Sequence, residues 1–205
     1  MVIMGAGGHA KEVLEALVMN QLDEKIAVFD NITPENKWQF PAKHIQRLRN
    51  DEELAAWFES NSLFIVGVGG IHARNTLWNY ALDQGGKPYT LLASNASICQ
   101  METIIGEGTS VMQLAFVSAS VSLGKNTLIN TRANIHHDVK IGDYSEIAPS
   151  AVLLGNCQIG SDTFIGANAT ILPKIKIGTN CTIGAGAVVT RNVPDNTIVK
   201  GNPAK

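Results

Sequence analysis

Of the five histidines in the chain, His136 and His137 stand side by side and are followed at once by Asp138. A carboxylate beside an imidazole orients the ring and stabilises its charged form, which equips a histidine to move protons. Eighteen residues after His137 comes Gly155, a position with no side chain and a backbone N–H. Two readings of this group stand. One is a polar pair on a surface corner. The other is a base beside an open backbone donor, the minimum kit for acyl transfer: one group takes a proton from a nucleophile, the other holds the oxyanion.

A second group lies near the start. Val2-Ile3-Met4 is followed by Gly5-Ala6-Gly7-Gly8-His9-Ala10, a G-x-G-x-x-A turn, and Asp30 closes the next apolar run. Glycine there lets the backbone approach a phosphate at a helix N-terminus, where unpaired N–H groups and the dipole attract anions. The competing reading is a tight turn without a ligand. His9 is bulkier than a dinucleotide turn usually carries and could itself reach a ligand. Further on, Gly69-Gly70 precedes Arg74 in the first turn of an expected helix. A solvated arginine is the plainer reading, and an anion held between Arg74 and the two glycine amides is the sharper one.

The elements that must position these residues follow from periodicity. Every sixth residue from Ile105 to Val189 is aliphatic, without an insertion, and four residues after each comes a small or β-branched side chain. Such a hexad predicts a parallel β-helix, each unit a short strand and a turn. Gly106, Gly124, Gly142, Gly160 and Gly178 recur at three hexads, which predicts a triangular coil with one glycine corner stacked on itself. In that coil Gly155 lies directly over His137, and Asn130 is a polar neighbour at the preceding corner. The period leaves handedness open.

Upstream, strand, glycine turn, helix, strand and acid is the order of a nucleotide-binding βαβ unit. Asn31 to Lys43 reads as a loop. Asp51 to Phe58 reads as a helix capped by Asn50. Leu63 to Val68 reads as a strand, Ile71 to Leu82 as a helix, and Tyr89 to Leu92 as a fourth strand. This gives a Rossmann-like α/β domain over residues 1–93 and a β-helix domain over 94–205, with a closing strand and turn after Val193. The first is too small for a full two-halved dinucleotide fold.

At 205 residues and a formal charge of −2, neither nucleic acid nor an anionic membrane is an expected partner. No twenty-residue apolar run and no signal peptide is present, so membrane insertion is not expected and the cytoplasm is. Cys157 and Cys181 fall at small inward positions of the hexad, and all three cysteines are expected to be reduced.

The glycine turn, the Phe29-Asp30 pair, V-G-V-G-G with Arg74, the unbroken repeats, N-T-x-x-x-I-x-H-D and the ending D-N-T-I-V-K-G-N-P-A-K resemble the two-domain bacterial hexapeptide-repeat sugar acetyltransferases. That group includes nucleotide-linked amino-sugar N-acetyltransferases and sialic acid O-acetyltransferases. The resemblance covers nearly the whole chain and implies a left-handed β-helix, a homotrimer and a place in polysaccharide biosynthesis. It makes His137 the general base, tuned by Asp138, with Asn130 helping to hold the site and the Gly155 backbone meeting the thioester oxygen. It assigns Ala167 and Ala185 to the acetyl-CoA groove, where Glu146 replaces a coenzyme-touching histidine of some relatives. Gly7, Gly8, His9, Asp30, Asn31, Gly69 and Arg74 match the nucleotide-sugar pocket. The family often carries glutamate where this chain has His136. The chain opens inside its first strand and ends within the tail motif, which points to terminal residues beyond it.

The expected activity is acetyl-CoA-dependent N-acetylation of a nucleotide-linked amino deoxysugar without a metal. O-acetylation of sialic acid is the alternative within the family. A zinc site would need histidines on successive coils, and the positions above His137 are Gly155 and Pro173. An NAD-dependent enzyme would leave the β-helix idle, and a silent scaffold would leave His137 and Asp138 idle.

Overall fold

The computed structural model describes residues 1–22, 25–40 and 45–205. The chain folds as two compact units, Met1–Tyr89 and Thr90–Lys205.

The first unit is built on five parallel strands: β1 (Val2–Met4), β2 (Ala27–Phe29), β3 (Gln46–Leu48), β4 (Leu63–Val66) and β5 (Lys87–Pro88), in the order β3-β2-β1-β4-β5. All three residues of β1 are buried, as suits the central strand of a sheet covered on both faces. Helix α1 (Gly8–Met19) turns Ala10, Val13, Leu14 and Leu17 inward at helical spacing. Helix α2 (Asp51–Ser60) begins where the Asn50 side chain accepts from the Glu53 N–H at 2.9 Å, the expected cap. Helix α3 (Ile71–Asp83) follows β4. The strand order reverses between β1 and β4, so the loops at their carboxyl ends flank a topological switch point, the usual place for a ligand in such a sheet.

Two strand readings change. Gln46–Leu48 is a strand that its two polar residues concealed. Leu91–Leu92, expected as the fourth strand of this sheet, instead pairs with Ser110–Val111 in the second unit. The edge position goes to Lys87–Pro88, where proline's missing N–H does no harm. Within the loop expected from Asn31, Glu35–Lys37 forms a 3-10 turn, and residues 41–43 lie outside the described residues.

The second unit is a three-faced prism of two-residue parallel strands. Each pairs with the strand one coil away in a register of eighteen, as Asn134 with Val152 and Ile135 with Leu153. One face carries six strands, one five and one seven. The predicted aliphatic positions point inward, and from Val111 to Val189 each is buried. Burying each such side chain contributes roughly 1.5–3 kcal/mol.

The small positions separate into three columns. Ala115, Ala133, Ala151, Ala169 and Ala187 line one corner, and Val121, Val139, Cys157, Ile175 and Val193 a second. The third is a buried hydroxyl ladder beside the glycine corner. There Thr109, Ser145 and Thr163 donate to the carbonyls of Gly124, Gly160 and Gly178 at 2.7–2.8 Å. The glycines serve close approach: a Cβ on Gly142 would sit 2.5 Å from the Ser161 nitrogen. The left-handed backbone falls two residues later in each hexad, at positions such as Asn126, Asp138, Asn156 and Asn180. Asparagine and aspartate tolerate that conformation better than most side chains. Among the described residues no helix is long and apolar enough to cross a membrane.

Candidate active site and nucleotide pocket

Strand Asn134–Ile135 ends at the corner between the six-stranded and five-stranded faces, and His137 and Asp138 are the turn residues there. Asp138 takes the left-handed conformation, φ 61°, which folds its carboxylate back toward its neighbour. His137 Nδ1 and Asp138 Oδ2 are 2.7 Å apart. That contact leaves Nε2 as the ring nitrogen available for proton transfer, and the ring is 59% exposed. His136 makes an edge contact with Phe116 one coil below, ring centroids 6.0 Å apart.

Gly155 lies one coil above, as the eighteen-residue register requires. A Cβ there would fall 2.5 Å from His137 Cε1 and 2.6 Å from Nε2. The space left by the missing Gly155 side chain is therefore occupied by the imidazole itself. Among the described residues the Gly155 N–H donates no hydrogen bond. An imidazole, a carboxylate and a free backbone donor thus share one corner.

In the first unit the glycines divide by role. Gly5 has φ +107° and a Cβ there would meet Val68 Cγ1 at 2.5 Å, so its glycine serves the turn. Gly7 and Gly8 have ordinary φ, and a Cβ on either meets nothing within 4 Å. Neither packing nor backbone conformation demands glycine at these two exposed positions, which leaves room for something outside the chain. A cavity of about 280 Å³ opens beside them, lined by residues that include Gly5, Ala6, Gly7, Asp30, Thr33 and Val68. It lies at the switch point.

Asp30 ends β2 and is 8% exposed. Its Oδ1 accepts from the backbone N–H groups of Ile32 and Thr33, both at 3.1 Å. Burial pushes its carboxyl up, but hydrogen bonds from Thr33 and Ile32, with Arg47 nearby, outweigh it and hold the group below its ordinary range.

Two family models match the chain: the bacterial transferase hexapeptide (six repeats) over residues 120–155 and 156–191, and the PglD N-terminal domain over residues 1–81. No curated protein sequence matches. Among solved structures, the perosamine N-acetyltransferase of Caulobacter crescentus, a histidine-to-asparagine variant bound to CoA and GDP-perosamine, is 30% identical. The alignment covers 100% of this chain and 94% of that one, with a TM-score of 0.89. The acetyltransferase domain of PglB from Neisseria gonorrhoeae, bound to acetyl coenzyme A, is 31% identical over 100% and 97%, TM-score 0.90. WeeI from Acinetobacter baumannii is 27% identical over 100% and 99%, TM-score 0.84. The chain belongs to the bacterial hexapeptide-repeat acetyltransferase family.

Membership fits the prism to the left-handed β-helix of hexapeptide transferases and gives the remaining residues a frame. Asn130, Ala167 and Ala185 all lie at one corner, that between the seven-stranded and six-stranded faces, whereas His137 and Gly155 lie at the next. Asn130 Oδ1 accepts from the Thr131 N–H at 2.7 Å, with no hydrogen bond to His137 or Asp138. Glu146 is 6% exposed on the seven-stranded face.

Of the residues expected in a nucleotide-sugar pocket, Gly7, Asp30 and Asn31 line the cavity. Gly8 and His9 form the first turn of α1, where His9 Nδ1 is 3.0 Å from Glu12 Oε2. Gly69 is exposed in the loop before α3. Arg74 corrects the plainer expectation: it is 1% exposed rather than solvated, and Nη1 donates to the Val68 carbonyl at 3.1 Å. Phe29 and Val68, which belong to the motifs quoted above, also line the cavity, as do Ile32, Thr33 and Leu77, which no motif marks. Phe29, Ile32 and Thr33 lie within three residues of Asp30 in the chain.

The three cysteines are free thiols, and burial pushes the Cys157 thiol up to about 11. Among the described residues no three His, Cys, Asp or Glu side chains cluster as metal ligands do.

Proposed function

We propose that this protein is an acetyl-CoA-dependent N-acetyltransferase acting on the amino group of a nucleotide-linked amino sugar. The observation that carries the reading is His137 poised between Asp138 and Gly155, 2.7 Å from the acid and stacked on the glycine. A protonated amine is not nucleophilic. His137 Nε2 takes the proton as the sugar nitrogen attacks the thioester carbonyl, while Asp138 holds the ring by Nδ1. The Gly155 N–H donates to the oxyanion, the C–S bond breaks, and the proton passes to the coenzyme sulfur. The nucleotide half occupies the cavity beside Gly7 and Asp30, with Gly8, His9, Asn31, Gly69 and Arg74 around it. The relatives crystallised with CoA and GDP-perosamine, or with acetyl coenzyme A, support this choice of co-substrates.

The reading includes a homotrimer. The coenzyme-groove positions Ala167 and Ala185, together with Asn130, sit one corner away from His137, so a groove using both corners is completed by a second copy of the chain. The six-stranded face between those corners carries outward Phe116, Val152, Leu154, Leu172 and Val188, while the next face carries Lys140, Gln158 and Lys176. Those five half-buried apolar side chains, set among Asn134, His136 and Thr170 on the same face, mark where a second copy would pack. A cytoplasmic location belongs to the same reading.

The test is release of free coenzyme A from acetyl-CoA in the presence of UDP-, GDP- or dTDP-linked amino sugars, with the product analysed by mass. Acetylation of sialic acid hydroxyls, with no nucleotide sugar accepted, would overturn the substrate class. A stable monomer in sedimentation at micromolar concentration would overturn the trimer.

A further inference from the structure

Asp30 has two carboxylate oxygens in different situations. Oδ1 is used twice, by the Ile32 and Thr33 N–H groups, and the Thr33 side chain also favours the charged carboxylate. Oδ2 is buried and has no hydrogen-bond partner among the described residues. A buried carboxylate oxygen without a donor is costly unless a ligand supplies one, and this one belongs to a residue lining the cavity beside Gly7.

The segment that carries Asp30 is held from behind by Arg47, on β3. Arg47 Nε donates to the Asp30 carbonyl at 3.1 Å, Nη2 donates to the Thr33 carbonyl, and Nη1 meets Glu35 Oε2 at 3.1 Å. The guanidinium lies over the Trp38 ring, 4.4 Å from its centroid, and its side chain is 10% exposed. Nη2 stands 3.6 Å from Asp30 Oδ2, close enough to balance charge but outside hydrogen-bonding distance. One planar fork therefore ties down three points of the Asp30–Glu35 segment and leaves Oδ2 to be satisfied from elsewhere. A lysine point charge could not reproduce that geometry.

We propose that Arg47 is a positioning residue for the nucleotide half of the substrate, locking the Asp30–Glu35 segment so that Asp30 Oδ2 accepts a hydroxyl or N–H of the nucleoside. The inference rests on the nucleotide-sugar reading above and adds to it the device that pre-organises the pocket. Pre-organisation acts on affinity by removing the ordering cost of the loop at binding. Its signature is a weaker complex with little change in the chemical step.

The experiment measures UDP, GDP and dTDP binding calorimetrically to the wild-type protein, Arg47→Gln, Arg47→Lys, Asp30→Asn and the double variant Arg47→Gln/Asp30→Asn, with acetyl-CoA as a control ligand. Arg47→Gln should weaken the preferred nucleotide by about tenfold, the worth of one charge-assisted hydrogen bond. Arg47→Lys should fail to restore it, and acetyl-CoA affinity should hold. KM for the nucleotide sugar should rise by a similar factor while kcat stays within about twofold. The double variant should bind about as well as the worse single one, since the two residues act through one contact. A purely structural arginine would lower Tm and leave nucleotide affinity unchanged in the folded protein, and that result overturns the proposal. Full rescue by lysine, or additive losses in the double variant, overturns it too. Wild-type protein that binds none of the three nucleotides sinks the substrate reading itself, and the inference with it.

Discussion

The His137 ring occupies the place where a side chain on Gly155 would begin, with Cε1 2.5 Å and Nε2 2.6 Å from that point. The glycine is needed for the histidine rather than for the backbone, because Gly155 does not adopt a positive φ. Gly155→Ala should therefore fold normally, since the atoms met belong to the end of a side chain that can turn away. It should lose activity, because a turned ring leaves the acid and the oxyanion donor. A kcat lowered at least about tenfold is expected, as misplacing a catalytic group costs rate steeply. Gly142→Ala is the contrast, since its Cβ would meet backbone of the next coil at 2.5 Å. Such overpacking should cost about 1–3 kcal/mol or more, read as a lower Tm. Equal Tm losses in the two variants would remove the distinction.

His137→Ala should lower kcat by about 10²–10⁴-fold, the usual contribution of a positioned base, with little change in the Kd for acetyl-CoA. Asp138→Asn should cost less. Asparagine tolerates the left-handed turn that Asp138 occupies, so that variant reports on the carboxylate and not on the backbone. His136→Ala should retain activity, since that ring packs on Phe116. Steady-state rates for the three variants check the assignment. A fast His137→Ala enzyme ends it, and a dead His136→Ala enzyme moves the base by one residue.

Gly8→Val should abolish nucleotide binding and leave acetyl-CoA binding intact. A Cβ at this position meets nothing within 4 Å, so the substitution acts first on what approaches the turn. Gly5→Val should instead impair folding, given its φ of +107° and its contact with Val68. Circular dichroism and ligand titration of both variants test the two roles. A folded Gly8→Val protein that still binds the nucleotide would show that the phosphates lie elsewhere.

The Asp30 carboxyl titrates below its ordinary 3.8 in the folded chain. A group with a depressed folded pKa contributes stability above its unfolded pKa and loses that contribution as pH falls through the folded value. The Tm difference between wild type and Asp30→Asn should be full at about pH 7 and shrink below about pH 4. A difference that grows on acidification contradicts the assignment.

Much of this was legible in the residues alone. A coil of eighteen returns every inward side chain to the same place, so the aliphatic hexad from Ile105 to Val189 leaves no other fold class, and the partners Gly155 and His137 follow by counting. The glycine turn before α1 was legible for a similar reason, since Gly5 takes φ +107°, a conformation that few side chains adopt. Other features belonged to tertiary structure. Gln46–Leu48 pairs as a strand because β2 offers it an edge, and its polar residues gave no alternation to read. Arg47 clamps Asp30 from seventeen positions away, a distance that no local pattern encodes. Arg74 reads as a surface cation until the loop after β4 wraps its carbonyl onto the guanidinium. The corner that separates Asn130, Ala167 and Ala185 from His137 depends on where the coil turns in space. Periodicity in the chain determines which side chains face inward; only the folded backbone determines which outward ones meet.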